Sequence, residues 1–339
     1  MNCHTLIVGQ GIAGTALAWQ LRWRGVAVAA IDRGEPATAS RVAAGLMTPV
    51  TGQRLAKTWR LDDLWPAAVA HYRRAEAETG ERFFLPGPSV RLFQSADERA
   101  AFEAKAGGFG EWVRPPNPPV NPDDLAAPFG GFEMPTAGRL LTGRYLDASR
   151  RSLSVTTADL APTDLDLSGD GVRVPRLGLT AGRVVFCRGV GDAASPWFAD
   201  VRFHPAKGEI LTVRIPGLAE TRVVHHGVWL VPLGDDLFRV GATFDRDNLD
   251  TLPTDAGREE VLAKLRAFVR RPVEVVEHQA AVRPVISAGR PTLLRHPADS
   301  RLWLFNGLGS KGSSLAPYFA ARLAETLTHE SPPVATGGL

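Results

Sequence analysis

Hydrophobic positions form buried strands and amphipathic helices in alternation at both ends of the chain. Leu6–Val8 is an apolar run typical of a buried strand, Ile12–Trp23 has helical periodicity, and Val26–Ile31 is a second apolar run. This order predicts a βαβ unit at the N-terminus. Leu302–Phe305 followed by the helical pattern of Ser314–Thr328 predicts a second strand–turn–helix unit near the C-terminus.

The middle of the chain has a different pattern. Short strands separated by Gly-Asp and Pro alternate between residues 203 and 244, which predicts an antiparallel sheet. Six prolines between Pro115 and Pro128 predict a surface segment without regular structure. The remaining predicted helices are 62–79, 97–106, 140–153 and 254–269, and the predicted strands are 90–93, 172–174, 183–186, 209–215, 222–225, 228–231, 237–242 and 273–277.

A chain of 339 residues is long for a single core, so the pattern predicts two domains. The fold class is α/β plus α+β: a Rossmann-like nucleotide-binding domain interrupted by a domain with an antiparallel sheet. The predicted boundaries are 1–80, 141–196 and 281–330 for the nucleotide-binding domain, 81–140 and 197–280 for the other domain, and 331–339 for a disordered tail.

The turn after the first strand carries a dinucleotide-binding fingerprint. Gly9 permits a tight turn, Gly11 lets the backbone approach a pyrophosphate, and Gly14 lets the helix pack closely on the strand. Ile12 and Ala13 begin a helix whose positive end faces the phosphates. Strand, glycine turn, helix, second strand and acidic residue occur in the required order, which predicts nucleotide binding.

The residue at the end of the second strand narrows the choice of nucleotide. Asp32 lies at the position where a carboxylate binds a ribose hydroxyl, and it would repel a 2′-phosphate. This favours FAD or NAD over NADP. Arg33 is a complication, because an arginine there can bind a 2′-phosphate.

Composition excludes several other classes of protein. The net charge is only +3 and no basic run with interleaved aromatic residues occurs, so nucleic-acid binding is not expected. No apolar stretch reaches the length of a membrane span, and the first hydrophobic run is already the nucleotide strand, which argues against a secretory signal. Cys3 and Cys187 form no disulfide framework or zinc spacing, so a cytoplasmic location and no metal are expected.

An ordered set of motifs resembles the FAD-dependent oxidoreductases of the D-amino-acid oxidase and glycine oxidase type. The motifs are Gly9–Gly14 with Asp32, Ser40–Gly45, Val184–Gly189, Ala281–Pro284 and Gly307–Pro317. They span nearly the whole chain, and together they favour FAD over NAD as the cofactor.

The resemblance implies a set of flavin contacts. Ala43, Ala44 and Gly45 would hold the isoalloxazine edge near N5, with Ser40 and Arg41 on the phosphate or ribityl side. The strand ending at Gly189 would pack beneath the cofactor, although Phe186, Cys187 and Arg188 are bulkier than is usual there. The turn before the last helix would contact the N1–C2=O edge of the flavin through Gly307, Gly309, Ser310, Lys311, Gly312 and Ser313.

Three residues are candidates for the catalytic machinery. By the resemblance, Arg283 would bind a substrate carboxylate, because a guanidinium fork matches a carboxylate; the alternative is a structural ion pair with an acidic neighbour such as Glu277. Lys311 would place a positive charge at the reduced flavin or point to solvent, and Lys57 would help to wall the substrate pocket. Of His225 and His226 on one strand, only one can face a site.

The expected reaction is oxidation of the C–N bond of a small amine or amino acid, by hydride transfer to flavin N5 and hydrolysis of the imine. Oxygen or another acceptor would then reoxidise the flavin. Three alternatives stay open: a 2-hydroxy-acid or polyol dehydrogenase, a tRNA-tailoring amine oxidase, and a non-catalytic flavoprotein. The oligomeric state is left open.

Overall fold

The computed structural model describes residues 2–153, 155–286 and 290–329. The helices in these ranges are α1 (Ile12–Arg22), α2 (Ala39–Val42), α3 (Leu61–Thr79), α4 (Ala96–Glu103), α5 (Thr142–Ser152), α6 (Asp255–Arg266) and α7 (Gly312–His329). The strands are β1 (Asn2–Val8), β2 (Val28–Asp32), β3 (Leu46–Met47), β4 (Val50–Thr51), β5 (Ala56–Lys57), β6 (Phe84–Pro86), β7 (Ser89–Leu92), β8 (Gly131–Met134), β9 (Gly138–Leu140), β10 (Val155–Thr157), β11 (Val172–Val174), β12 (Leu179–Phe186), β13 (Ala206–Arg214), β14 (Val223–His226), β15 (Val228–Gly234), β16 (Leu237–Gly241), β17 (Glu274–Arg283), β18 (Thr292–Arg295) and β19 (Leu302–Asn306).

The first sheet has the order β10-β2-β1-β12-β19-β18, with β11 paired to β12. Its strands β10, β2, β1, β12 and β19 run parallel to one another. β1 lies at the centre, and the chain continues to β2 on one side and to β12 on the other. The carboxyl ends of parallel strands at such a switch point are where open α/β sheets bind ligands.

Apolar side chains cover both faces of this sheet. On one face, α1 and α7 pack against each other and against the strands, and α3 packs on α7. Trp19 of α1 is completely buried there, and its indole N–H donates to Ser149 Oγ over 2.8 Å. A second cluster that includes Leu160, Phe186 and Phe198 covers the other face.

The second sheet has the order β17-β13-β16-β15-β14-β7-β8 and is antiparallel except for the parallel pair β14 and β7. Helix α6 packs on one face, where Val261, Leu262 and Leu265 join the core of this sheet. The opposite face is turned toward the first sheet, so the space between the two sheets can hold a ligand. The predicted antiparallel sheet, and with it the predicted fold class, is confirmed.

Two predicted segments differ from the structure. The predicted helix over 140–153 begins only at Thr142, because Gly138–Leu140 pairs as β9 with β3 and β6. The proline-rich segment has no helix or strand, as predicted, but it does not lie wholly on the surface. Leu125 is buried in the core of the second sheet, and Asp124 accepts a hydrogen bond from Arg271 Nε over 2.6 Å. A proline count cannot reveal such an anchor, because it depends on distant residues.

The division into two discontinuous domains stays a proposal, although β17 crosses its predicted boundary at residue 281. The predicted disordered tail at 331–339 lies outside the described residues. No helix within the described ranges is long and apolar enough to cross a membrane.

Candidate active site

A cavity of about 490 Å³ lies between the carboxyl ends of β1, β2, β12 and β19 and the open face of the second sheet. At one end it is lined by the turn after β1 and by the end of β2. At the other end it is lined by residues of β7, β13, β14, β15 and β17. It therefore joins the predicted nucleotide site to the face of the antiparallel sheet.

The first glycine turn has the backbone that its sequence predicts. Gly9 has φ +103°, and a Cβ there would lie 2.5 Å from the carbonyl oxygen of Cys187. A Cβ at Gly14 would lie 1.9 Å from the carbonyl oxygen of Gly9. Gly9 and Gly11 line the cavity together with Ile12 and Ala13, whereas Gly14 lies behind the turn and allows α1 to pack on it.

Asp32 and Arg33 both line the cavity at the end of β2. The Asp32 carboxylate accepts hydrogen bonds from the backbone N–H groups of Gln10, over 2.7 Å, and Gly34, over 2.8 Å. These bonds orient it beside the glycine turn. The Arg33 guanidinium forms a 2.8 Å ion pair with Glu35, so its charge is already partnered.

The segment after β2 forms the next part of the wall. Ser40 Oγ accepts a hydrogen bond from the N–H of Ile12 over 3.0 Å, which joins α2 to the start of α1. Ala43, Ala44 and Gly45 all line the cavity. Gly45 has φ +74°, and a Cβ there would lie 1.9 Å from the carbonyl oxygen of Leu140. Close packing against β9 therefore requires this glycine, whatever the cavity holds.

Besides Gly14, three residues predicted for the site do not line the cavity. The Arg41 guanidinium turns to Asp147 on α5, at 2.8 Å. The Lys57 ammonium pairs with Asp62 at 2.9 Å and lies over the Trp112 ring. Gly307 packs against Ile286 instead. These residues were predicted for the site because residues next to them in the sequence line the cavity. The direction of each side chain, however, decides whether it faces the cavity.

The end of β12 contributes Cys187, Arg188 and Gly189 to the lining. Gly189 has φ +61° and begins the turn beyond the strand. Burial raises the pKa of the Cys187 thiol well above its usual value. Because a thiolate is the nucleophilic form, this buried thiol is poorly suited to covalent attachment of a cofactor.

The second glycine turn lies opposite the first. Gly309, Ser310, Gly312 and Ser313 all line the cavity, and α7 begins at Gly312. Gly309 has φ +54°, which favours glycine at this position. The N-termini of α1 and α7 therefore both lie at the cavity, and each offers a positive helix end to it.

Two lysines near the cavity have different partners. The Lys311 ammonium lines the cavity and donates to Thr51 Oγ1 over 2.9 Å; burial lowers its pKa. The completely buried Lys207 ammonium instead pairs with Asp250 at 2.7 Å and donates to the carbonyl oxygen of Leu252. Of these two lysines, Lys311 thus brings a positive charge to the cavity, while Lys207 holds the loop that follows β16.

Arg283 lies at the end of β17 and lines the cavity. Its guanidinium donates to the carbonyl oxygens of Lys207, over 3.1 Å, and Thr243, over 3.2 Å, and lies over the Phe244 ring. Within the described ranges no carboxylate pairs with it, so the predicted alternative of an ion pair with Glu277 is wrong. Burial lowers the pKa of this guanidinium, which still remains charged at neutral pH.

Space for the Arg283 side chain comes from a glycine on the neighbouring strand. A Cβ at Gly208 would lie 1.9 Å from Arg283 Nη2 and 2.3 Å from Cζ. The guanidinium therefore lies directly over the bare backbone of β13. The sequence analysis missed Gly208, because nothing near it in the sequence indicates which side chain crosses it.

The sequence analysis also missed Arg91 and Trp229, which line the cavity beside His225. His225 pairs with Arg91 on β7 and with Trp229 on β15, so the three share one face of the sheet. His226 faces the opposite side and packs on Phe268, which confirms that only one of the two histidines faces the site. The alternation of side chains along a strand predicts that one of the two histidines faces the site. It cannot predict that His225 pairs with Arg91, because the two residues are 134 positions apart in the sequence.

Charge is distributed unevenly along the cavity. Three carboxylates line it, namely Asp32, Glu35 and Asp159, and all lie near the ends of β2 and β10. Among the described residues, the charged side chains that the face of the second sheet adds to the lining are Arg283, which has no carboxylate partner, and Arg91, which pairs with Glu98 at 2.6 Å. No group of three or more metal-ligating side chains occurs in the described part of the chain. The sheet end of the cavity is therefore suited to an anion.

Comparison with known proteins shows the family to which this chain belongs. Residues 4–326 match the model of the DAO family, described as FAD-dependent oxidoreductases. Glycine oxidase from Bacillus licheniformis is 25% identical over 95% of this chain and 92% of its own. The tRNA 5-methylaminomethyl-2-thiouridine biosynthesis bifunctional protein MnmC from Caulobacter vibrioides is 26% identical, over 95% of this chain and 54% of its own. The solved structure of glycine oxidase from Geobacillus kaustophilus has a TM-score of 0.82 at 21% identity, and the match covers 97% of this chain and 95% of that one.

The residues of the cavity fit FAD. Bare glycine backbone lines it at Gly9, Gly11, Gly309 and Gly312, two helix N-termini face it, and the Asp32 carboxylate lies at the ribose position of the fingerprint. Arg33 pairs with Glu35 at 2.8 Å, and the carboxylates of Asp32, Glu35 and Asp159 at this end of the cavity disfavour a 2′-phosphate. The chain belongs to the DAO family and is an FAD-dependent oxidoreductase.

Proposed function

We propose that this enzyme oxidises the C–N bond of a small amine that carries a carboxylate, as in an amino acid. Glycine oxidase, a relative that matches nearly the whole chain, supports this class of substrate. The products would be the imine, which water hydrolyses to a carbonyl compound and the released amine or ammonia, and the reduced flavin. Oxygen or another acceptor would take the electrons from the flavin.

The observation that supports the proposal is that Arg283 faces the cavity without an ion-pair partner among the described residues. Its guanidinium lines the cavity with no carboxylate partner among the described residues, and two backbone carbonyls fix its orientation. A guanidinium has five N–H donors, so donors remain for a ligand. A substrate carboxylate bound there would hold the α-carbon in a fixed position, which is most of what hydride transfer requires from a protein.

The other residues of the pocket suit this reaction without a strong base. Burial and the neighbouring charge of Arg91 lower the pKa of His225 to about 3, so its imidazole is neutral at physiological pH. No carboxylate lines the described sheet face. An amine that binds as the neutral base needs no proton abstraction before its α-hydrogen leaves as hydride.

FAD, when bound, supplies the acceptor for the hydride at its N5 atom. Lys311 and the N-terminus of α7 would stabilise the negative charge that the reduced flavin gains, because both are positive and lie at the predicted N1–C2=O edge. Ala43, Ala44 and Gly45 would hold the other edge of the ring. Trp229 and Ile210 would exclude water from the reacting carbon.

The test is anaerobic flavin reduction by FAD-loaded enzyme with amino acids and with the matching amines that lack the carboxylate. Arg283→Leu should raise the Kd or KM for amino acids by roughly 10- to 100-fold, the loss expected for a charge-assisted hydrogen-bonded pair, and should leave the amines unaffected. Arg246→Leu is the matched control, because Arg246 also lies over the Phe244 ring and does not line the cavity.

Unchanged kinetics in Arg283→Leu would refute the anchoring role. Reduction by 2-hydroxy acids or polyols and by no amine would assign the enzyme to the dehydrogenase alternative. Reduction only by a modified tRNA would assign it to the tRNA alternative. A bound flavin that no donor reduces would indicate a protein without catalysis.

A further inference from the structure

A second group of polar side chains lines the cavity on the same face of the second sheet as Arg283, several strands away. Arg91 on β7 and His225 on β14 are directly paired in register, and both face the cavity. Glu98 on α4 holds the Arg91 guanidinium by accepting from Nε, over 3.1 Å, and from Nη2, over 2.6 Å. Both side chains of this ion pair are nearly buried, so the guanidinium has a fixed orientation.

Arg91 and His225 both have polar atoms that form no hydrogen bond within the described part of the protein. His225 Nε2 is buried and has no hydrogen-bond partner in the described part of the protein. A buried polar atom left unpaired costs about 1–3 kcal/mol, so such atoms normally have a partner. Glu98 accepts from Nε and Nη2 of Arg91, so Nη1 of this residue, which pairs in register with His225, remains as a donor. A ligand group that accepts hydrogen bonds would satisfy both side chains.

The surface between the two polar groups is apolar. Ile210, Trp229, Ala242 and Ala281 line the cavity between Arg283 and His225. The Arg283 guanidinium lies over Gly208 on β13, and His225 lies on β14, three strands away in the order β13-β16-β15-β14. At about 4.8 Å per strand, the two strand axes are about 14 Å apart, and both side chains reach into this gap.

We propose that Arg91 and His225 form a second anion subsite, and that the substrate is an extended amino acid with a second carboxylate at its far end. The inference rests on the proposed function, because Arg283 must hold the first carboxylate. The apolar strip would contact the carbon chain between the two charged ends. Glu98 balances the charge of Arg91, so the second carboxylate would be recognised by hydrogen bonds from the guanidinium and from the unpaired His225 Nε2.

The test measures binding of acids that the enzyme cannot oxidise. Calorimetric titration of FAD-loaded enzyme would compare α,ω-dicarboxylates from succinate to suberate with monocarboxylates of equal carbon number. The longer dicarboxylates should bind about tenfold more tightly than their monocarboxylate counterparts, although the latter have a more apolar tail. His225→Phe replaces the imidazole by an aromatic ring without nitrogens, and it should abolish most of this preference. Arg91→Lys, which keeps the charge and the partner for Glu98, should reduce it.

His226→Phe is the matched control, because this neighbour on the same strand faces the core of the second sheet, and it should leave the preference unchanged. Equal binding of the two acid series to the parent enzyme would overturn the proposal, as would an unchanged preference in His225→Phe. Failure of the proposed function is distinguishable from both results. If the proposed function fails, monocarboxylates would bind Arg283→Leu as tightly as they bind the parent enzyme. If only the second subsite fails, monocarboxylates would still bind Arg283→Leu more weakly than the parent.

Discussion

Gly208→Ala tests whether the position of the Arg283 guanidinium, and not only its charge, matters for activity. The new Cβ would lie 1.9 Å from Nη2, 2.3 Å from Cζ and 2.5 Å from Nη1 of Arg283. Carbon and nitrogen atoms that are not bonded stay about 3.5 Å apart, so the guanidinium must move by roughly 1.5 Å. The arginine side chain is flexible at its far end, so the fold should survive the substitution.

The expected loss of activity follows from this displacement. A misplacement of about 1 Å at a positioning group can cost about 100-fold in rate, or about 2.7 kcal/mol. The move also weakens the bonds from Arg283 to the carbonyl oxygens of Lys207 and Thr243. We therefore expect kcat/KM for a carboxylate-bearing amine to fall by roughly 100-fold, while thermal stability changes little.

A double-mutant cycle makes this reasoning refutable. Flavin reduction would be measured by stopped flow for the parent, Gly208→Ala, Arg283→Leu and the double variant. If Gly208 acts only through Arg283, the alanine costs nothing further once Arg283 is removed. Gly143→Ala is the control, because a Cβ there meets no atom within 4 Å. An equal loss in both backgrounds, or no loss in the parent, would show that the reasoning is wrong.

Two further predictions concern the flavin and the fold. Lys311→Met should lower the flavin midpoint potential, because the Lys311 ammonium lines the cavity, whereas Lys57→Met should leave the potential unchanged; a potentiometric titration checks both. Glu76→Gln should cost about 1–3 kcal/mol of unfolding free energy at pH 7, since the carboxylate accepts hydrogen bonds from the N–H groups of Phe83 and Phe84. Burial alone would raise the Glu76 pKa, but these bonds hold it below its usual 4.5, so the stabilisation is complete above that value and is lost as the pH falls through the lowered pKa. Urea unfolding at pH 7 and below pH 4 measures this, and a cost that is equal at both would contradict it.

The sequence predicted most elements of the fold because their signals are local. Helix α3 was predicted at 62–79 and spans Leu61–Thr79, and the strands around the two glycine turns lie where their apolar runs placed them. Strand β17 is longer than predicted, since its last residues are held by pairing with β13 and not by their own pattern. Short strands such as β10 and β18 were not predicted, because only a partner strand defines them.

By itself, the sequence determined the nucleotide-binding fingerprint and the family. The conformations of Gly9 and Gly14 follow from contacts within one βαβ unit, so the spacing of a few residues reveals them. Only the tertiary structure decided which cationic side chains face the cavity: Lys311 and Arg283 do, Lys57 and Arg41 do not, and Arg91 joins them unpredicted. The physical reason is that a side chain's direction depends on the space and partners that distant segments provide. Gly208 makes room for Arg283, and β14 brings His225 beside Arg91, and neither relation is written in the residues around them.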